Sequence, residues 1–231
     1  MDAVGQQQQT GQEQETLPQE TGQQTLADLA ELTAVDEAQL DHLRTALARR
    51  AEAEGTLELA YRSVTSPVGD LLLVATSRGL VRVAYDCEDH ERVLQTLAGQ
   101  LSPRILRAPA RLDEAAGQLD DYFAGRRVDF TLPLDRGLSR GFRLEVLLRL
   151  PEIGYGRTMS YTEVAAAAGN PKAVRAVGSA CATNPLPVVV PCHRVLHSDG
   201  SLGGYIGGLG AKQQLLALER GGAPRPPAVS G

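Results

Sequence analysis

Apolar and polar positions alternate along residues 57–64, two mostly apolar runs follow at 71–75 and 80–85, and apolar positions recur at helical spacing after that. The first three stretches predict three β-strands separated by short turns rich in Ser, Pro and Gly, at 57–64, 71–75 and 80–85. Strands this close in sequence pair as an antiparallel meander. Two helical patterns follow at 88–101 and 109–124, and Gly125 ends the second. The pattern predicts an α+β fold in which an antiparallel sheet with helices precedes a helical part.

The two ends of the chain depart from this pattern. Residues 1–24 are mostly Gln, Glu, Thr and Gly and bury too little apolar surface to fold, so we predict a disordered tail. Residues 25–56 predict a helical extension of two short amphipathic helices, with a cap at residues 33–36 before the second. The apolar face of that second helix consists of Leu40, Leu43 and Leu47. Residues 223–231 are rich in Pro and predict another disordered tail.

Two consecutive helices are the main feature of the second half. Ser160–Glu163 has the capping-box sequence, which begins a helix that ends at Gly169. Asn170 then caps a second helix that has Pro171 at its first position and runs to Ala182. Two helices joined by a turn of about three residues are typical of a helix-turn-helix. An ordinary helical hairpin accounts for the pattern equally well.

This helix pair belongs to the second of two predicted domains. A stretch with Pro133 and Gly137 predicts a linker near residues 135–139. The first domain then spans 57–137, and the second spans 138–222 and opens with a helix at 140–153.

A thiol and an imidazole follow a run of three valines. Val188–Val190 predicts a short buried strand, which Pro191 ends because it has no N–H to donate. Cys192 would need to be a thiolate to act as a nucleophile, and a neighbouring imidazole or cation lowers a thiol pKa. His193 and Arg194 are therefore candidate activators, with a bridging water as one route to the imidazole. An inert core cysteine is the alternative that the local pattern leaves open.

Glycine is dense after this motif. Residues 203–208 contain four glycines, which suits close approach of the backbone to a ligand. The spacing lacks the Gly-Lys-Ser/Thr of a P-loop and so excludes that kind of nucleotide site. A last helix at 211–220 carries Glu219, and a lone carboxylate so late in a helix is normally solvated.

Composition and charge narrow the class of protein. The sequence has no apolar run long enough to span a bilayer and no signal-peptide pattern, so we expect a cytoplasmic protein. Three cysteines without paired spacing argue against a disulfide framework and a Cys-rich zinc site. Residues 1–139 hold 13 Lys+Arg and 23 Asp+Glu, a charge of −10, whereas residues 140–231 hold 10 and 5, a charge of +5. The basic half suits a polyanionic partner.

Taken together, the motifs between residues 142 and 220 closely resemble the O6-alkylguanine-DNA alkyltransferases, also called methylated-DNA–protein-cysteine methyltransferases. The segments that carry the resemblance are Ser160-Tyr161, Gly169-Asn170-Pro171-Lys172, Arg175-Ala176-Val177-Gly178, Asn184-Pro185, Pro191-Cys192-His193-Arg194-Val195, Gly204-Tyr205, Gly207-Gly208-Leu209, Lys212, Leu215-Leu216 and Glu219. Residues 57–137 look like the ribonuclease-H-like N-terminal domain of that family, with weaker sequence support.

The resemblance implies a reaction and roles for four residues. Family members flip a damaged guanine out of the duplex and move its O6-alkyl group to a cysteine, irreversibly and once per molecule. Cys192 matches the acceptor, and His193 matches the imidazole that takes its proton through water. Glu219 matches the carboxylate that orients the imidazole, and Asn184 matches the asparagine that braces the preceding turn. No metal or cofactor is expected.

The resemblance also implies the contacts with substrate. Arg175 matches the arginine that fills the place of the flipped base, and Tyr161 matches the tyrosine that crowds the phosphate and helps to neutralise the leaving guanine. The other residues expected to face the minor groove are Lys172, Ala173, Ala176 and Ser179. Those expected around the base pocket are Val195, Tyr205, Ile206 and Gly207. Many relatives carry a different residue at the place of Ile206, which changes the shape of the pocket.

The expected partner is duplex DNA that carries O6-alkylguanine, bound by a monomer, with modest affinity that salt weakens. O4-alkylthymine is a second substrate that the sequence leaves open. Three other functions make different predictions. A helix-turn-helix regulator with a structural cysteine forms no covalent product, a Cys-His hydrolase turns over, and a lesion-sensing relative binds without repair but lacks the acceptor cysteine.

Overall fold

The computed structural model describes residues 36–221, without the side chain of Glu37. Helix α1 spans Glu37–Ala53, and the Asp36 carboxylate caps it by accepting the Ala38 N–H at 3.0 Å. The expected apolar face is wrong, because Leu43 and Leu47 are exposed, whereas Ala48 and Ala51 are buried. The first predicted helix of the extension and both predicted tails lie outside the described residues.

Residues 44–221 pack as one unit around a four-stranded sheet. Its strands are β1 (Leu59–Val64), β2 (Leu71–Thr76), β3 (Gly79–Tyr85) and β4 (Ile105–Arg107). The predicted antiparallel meander β1–β2–β3 is confirmed. The sheet is not wholly antiparallel, because β4 pairs in parallel with β1 and gives the order β3-β2-β1-β4. Three half-exposed residues are too few to produce a period that would predict β4.

Two helices cover the sheet, and the second of them carries a buried tyrosine, Tyr122. Helix α2 spans His90–Gln100, and α3 spans Asp113–Phe123 after a 3₁₀ turn at Pro109–Leu112. The buried face of α3 includes Leu119 and Tyr122, and Tyr122 is completely buried.

The segment that follows α3 is fixed to the edge of the sheet at Asp135. The Asp135 carboxylate, which is buried, binds the Arg78 guanidinium at 2.9 Å and accepts the Thr76 hydroxyl at 2.6 Å. The predicted linker therefore begins with a residue that is bonded to the first domain.

The second half is mainly helical. Its elements are α4 (Gly141–Arg149), a 3₁₀ turn (Leu150–Glu152), β5 (Met159–Ser160), α5 (Tyr161–Ala167), α6 (Val174–Ala182), a 3₁₀ turn (Cys192–Arg194), β6 (Val195–Leu196) and α7 (Gly208–Arg220). The short strands β5 and β6 pair in parallel, so that the start of α5 lies beside the end of the Cys192 turn.

The two expected helices are present, but their junction differs from the prediction. The capping box is confirmed, since Ser160 and Glu163 each accept the backbone N–H of the other. The expected start of the next helix is wrong, because α6 begins at Val174 and Asn170 does not cap it. The Asn170 carbonyl instead accepts the Ala173 N–H at 2.9 Å, which places Lys172 in a longer turn before α6.

Candidate active site

The segment that leads to Cys192 is a buried turn. The predicted strand Val188–Val190 is wrong, although all three valines are buried. Val188 has a φ of 70°, which is rare for a β-branched residue, and the Val190 N–H bonds back to the Leu186 carbonyl at 2.8 Å. Prolines on both sides lack donors for a ladder, so the chain turns here.

Asn184 holds this turn together. Its side-chain oxygen accepts the Leu186 N–H at 3.0 Å, and its Nδ2 donates to the Val190 carbonyl at 2.8 Å. The same Nδ2 lies 3.1 Å from Sγ of Cys192. An amide nitrogen has two N–H groups, so the fully buried Asn184 can brace the turn and donate to the sulfur at once.

Cys192 is almost inaccessible, with 1% of its surface exposed. Burial raises the pKa of its thiol to about 11, while the hydrogen bond from Asn184 and the positive charge of Lys212 act in the opposite direction. The thiol is therefore protonated at neutral pH. The expectation that Arg194 activates the sulfur is wrong in this geometry, because its guanidinium is bonded to Glu219.

His193 is poised to accept a proton on one nitrogen only. Burial lowers the pKa of its imidazole, and although the bond to Glu219 opposes this, the charges of Arg194 and Lys212 lower it further. Nε2 lies 2.8 Å from Oε1 of Glu219, whose carboxylate can only accept, so Nε2 carries the hydrogen. Nδ1 is buried and makes no hydrogen bond within the described residues, so its lone pair is the available base.

Glu219 is the centre of a buried network. Arg194 binds it with two nitrogens at 2.9 Å, Tyr122 donates its hydroxyl at 2.6 Å, and the Gly156 N–H donates at 3.2 Å. Burial alone would raise the pKa of Glu219, but the hydrogen bonds from His193 and Arg194 bring it down to about 2. The carboxylate is consequently ionised and fixed in orientation.

Of the expected base-pocket residues, Tyr205 packs against the imidazole of His193, and the other three lie on the segments around it. Tyr205 places its ring edge-on to His193, with centroids 6.4 Å apart, and its hydroxyl lies 2.9 Å from that of Tyr85 on β3. Gly207 packs against the Tyr85 ring so closely that a Cβ would come within 2.7 Å of it. Val195 is fully buried behind Cys192, and the Ile206 carbonyl accepts the Cys87 thiol at 3.5 Å.

The expected DNA-facing residues lie on another side of the site. A cavity of about 380 Å³ opens between α6 and the glycine-rich loop, and Tyr161, Arg175 and Gly203 are among its lining residues. Gly203 lies so close to the Tyr161 hydroxyl that a Cβ would overlap it. The remaining expected residues are exposed or partly exposed on α6 and the turn before it, namely Lys172, Ala173, Ala176 and Ser179. Cys192 does not line this cavity.

Known proteins share both halves of the chain. Residues 59–136 match the ribonuclease-like domain of 6-O-methylguanine DNA methyltransferase, and residues 141–221 match its DNA binding domain. A methylated-DNA–protein-cysteine methyltransferase of Mycolicibacterium paratuberculosis is 40% identical over 72% of this chain and 95% of its own length. The chain belongs to this family of methyltransferases.

Solved structures agree with the assignment. The O6-methylguanine methyltransferase of Mycobacterium tuberculosis has a TM-score of 0.63 at 36% identity, over 72% of this chain and 95% of that one. The Mycobacterium tuberculosis OGT in complex with DNA has a TM-score of 0.62 at 37% identity, over 71% and 95%. The predicted α+β fold, with a ribonuclease-like domain before a DNA-binding helical domain, is confirmed.

Three residues of this methyltransferase site received no role from the sequence, although Lys212 is among the residues that carry the family resemblance. Tyr122 and Tyr85 come from the ribonuclease-like domain, 97 and 120 residues before their partners Glu219 and Tyr205, and nothing local marks them. Lys212 is fully buried, and its Nζ donates to the carbonyls of Val195 at 2.7 Å and Gly203 at 3.3 Å. A signal for Lys212 did exist, because it shares one helical stripe with residues 215, 216 and 219.

Within residues 36–221 of this methyltransferase, no cluster of three or more His, Cys, Asp or Glu side chains has the arrangement of a metal site. No helix in the same range is both long and apolar enough to span a membrane.

Proposed function

We propose that this methyltransferase repairs duplex DNA by moving the alkyl group of O6-alkylguanine to Sγ of Cys192. The observation that carries this proposal is a pair of buried contacts, from Asn184 to Cys192 and from His193 to Glu219. It supplies a sulfur nucleophile, a donor to that sulfur, and a neutral base whose orientation is fixed.

The reaction begins with loss of the thiol proton. The Nδ1 lone pair of His193 takes this proton through a bridging water, and the resulting imidazolium is stabilised by Glu219. The pKa of Cys192 is about 11 and that of His193 is lowered, so the transfer is uphill and the thiolate is short-lived. Asn184 and Lys212 stabilise the negative sulfur by a hydrogen bond and by charge.

The thiolate then displaces guanine. A bond forms between sulfur and the alkyl carbon, the bond from that carbon to O6 breaks, and its electron pair stays on guanine. Guanine takes up one proton with help from Tyr161, while the imidazolium of His193 returns the thiol proton to water, so the protons balance. The product is a thioether, which no base in the site can cleave. Each molecule therefore acts once, and the displacement needs no metal or cofactor.

Access to the sulfur requires the base to leave the helix. A guanine within the stack gives a nucleophile no path to its alkyl carbon, and flipping costs a few kcal/mol. Arg175 is exposed on α6 and can fill the vacated place while the small side chains Ala176 and Ser179 let α6 approach the minor groove. Tyr205, Ile206, Gly207 and Val195 surround the flipped base.

We also propose that the protein is a monomer and is located in the cytoplasm. Cys87, Cys181 and Cys192 are all free thiols, as suits a reducing compartment. The acidic first domain limits the contact with DNA, so binding should be modest and should weaken as salt rises.

Mass spectrometry of the intact protein tests the function. After incubation with duplex DNA that holds one O6-methylguanine, we expect a mass increase of one CH2 group, limited to one per molecule and mapped to Cys192. The Cys192→Ala variant should stay unmodified while it still binds the lesion. A wild-type protein that binds the lesion and remains unmodified would refute alkyl transfer, and a parallel series with O4-methylthymine defines the substrate range.

A further inference from the structure

We propose that Tyr122, a residue of the ribonuclease-like domain, is a positioning residue for alkyl transfer and controls the basicity of His193 through Glu219. This inference rests on the proposed function and adds a role for the first domain in the chemistry. The side chain of Tyr122 is completely buried on α3, and its hydroxyl donates to Oε1 of Glu219 at 2.6 Å.

The role of this hydrogen bond follows from the oxygen atom that accepts it. Oε1 of Glu219 is the same oxygen that accepts Nε2–H of His193 at 2.8 Å. Arg194 neutralises the carboxylate as a whole, whereas Tyr122 acts on this one oxygen. Each donor draws electron density from the oxygen that it shares, so the hydroxyl weakens the pull of Glu219 on the imidazole proton.

The chemistry of the base follows from this competition. Glu219 favours the imidazolium form of His193, and transfer requires the neutral form with its lone pair on Nδ1. With the Tyr122 hydroxyl in place, the carboxylate still orients the ring but holds imidazolium less strongly. Without it, His193 should be protonated over a wider pH range and should be a poor base in mildly acidic solution.

Other ionisable groups around the pair remain constant in this comparison. Arg194 precedes β6, Lys212 lies on α7, Tyr155 precedes β5 and Tyr205 lies in the glycine-rich loop. Cys192 is the proton donor itself. The hydroxyl of Tyr122 makes its hydrogen bond to Glu219, so removing it leaves those groups in place.

Tyr155 supplies a matched control. Its ring packs edge-on against Tyr122 with centroids 6.1 Å apart, but its hydroxyl donates to the Leu218 carbonyl at 3.4 Å. Tyr122→Phe and Tyr155→Phe therefore each remove one hydroxyl from the same aromatic cluster, and the first of them removes a donor from Glu219.

The test is a set of single-turnover transfer rates at saturating duplex O6-methylguanine DNA, from about pH 5 to pH 8, where imidazoles titrate. We expect the acid limb of Tyr122→Phe to move upward by about half a unit to one unit, a loss of up to about tenfold at the acid end that disappears toward pH 8. Tyr155→Phe should follow the wild type. The final amount of alkylated protein counts folded molecules independently of the rate.

Three results overturn the inference. One is a Tyr122→Phe profile that superimposes on the wild type, and another is a profile lowered by the same factor at every pH, which indicates a structural role. The third is an equal shift in Tyr155→Phe. Absence of transfer by the wild type would refute the proposed function itself, and this outcome is distinct from the other three.

Discussion

Replacing Glu219 by Gln removes one charge from a buried ion pair without changing the shape of the side chain. Glu219 and Arg194 are 2% and 4% exposed, and the guanidinium meets the carboxylate through two nitrogens. The variant leaves the Arg194 cation buried without a counter-charge, and its remaining acceptors are the Ile153 carbonyl and the single amide oxygen of the new side chain. Losing one partner of such a pair costs about 3–5 kcal/mol, because the other charge stays uncompensated.

That cost is a large part of the stability of an ordinary domain, which is about 5–15 kcal/mol. For a chain of this size it corresponds to a fall in Tm of roughly 6–20 °C. Urea unfolding of Glu219→Gln should show the loss as a lower midpoint at an unchanged slope. Adding Arg194→Met removes the second charge, so the double variant should regain most of the stability and remain inactive in transfer.

Two results would refute this reasoning. A loss below about 1 kcal/mol in the single variant would mean that water reaches the guanidinium, in conflict with its burial. A double variant no more stable than Glu219→Gln would mean that the uncompensated charge is not the source of the loss.

Three further predictions concern the cavity lined by Tyr161, Arg175 and Gly203, and the sulfur of Cys192. Arg175→Ala should slow transfer from duplex DNA more than transfer from the free base, and equal losses on both substrates would exclude a role in flipping. Gly203→Ala should lower Tm and slow transfer, because its methyl group displaces Tyr161 at a cost of about 1–3 kcal/mol; an unchanged Tm would contradict the tight packing. Burial raises the folded pKa of Cys192 to about 11, so the unfolded thiol ionises first as pH rises. Between about pH 9 and 11 the wild type should therefore lose up to about 2–3 kcal/mol relative to Cys192→Ser, which urea unfolding at each pH would measure, and a constant difference would disprove the shift.

Local signals predicted much of the fold. Alternation along residues 57–64, the two apolar runs after it and the turns between them predicted the meander, and the capping box predicted the start of α5. These patterns depend on neighbours within a few residues. Val188–Val190 shows where such signals fail. β-Branched residues favour strands, but three nearby prolines and the buried amide of Asn184 impose a turn, and neither influence belongs to the valines themselves.

The residues of the active site differ in the same way, since local signals mark some of them and not others. Cys192 and His193 are adjacent and form a recognisable motif, whereas Glu219 needed the family resemblance, because a late-helix carboxylate alone indicates solvent. The burial of Glu219 could have been inferred, because Glu219 lies on the same helical stripe of α7 as Lys212. The role of Tyr122 could not have been inferred, because its place in the helical pattern fits an ordinary core aromatic residue and its partner lies 97 positions away.

The near-complete enclosure of Cys192 affects how long an unused molecule survives. A protein that is consumed by its own reaction is also lost to any stray oxidant or electrophile that reaches the sulfur. With a pKa of about 11, roughly one thiol in ten thousand is ionised at pH 7, and 1% exposure admits few reagents. The same burial that makes proton loss uphill therefore preserves the stock of unreacted protein until damaged DNA arrives.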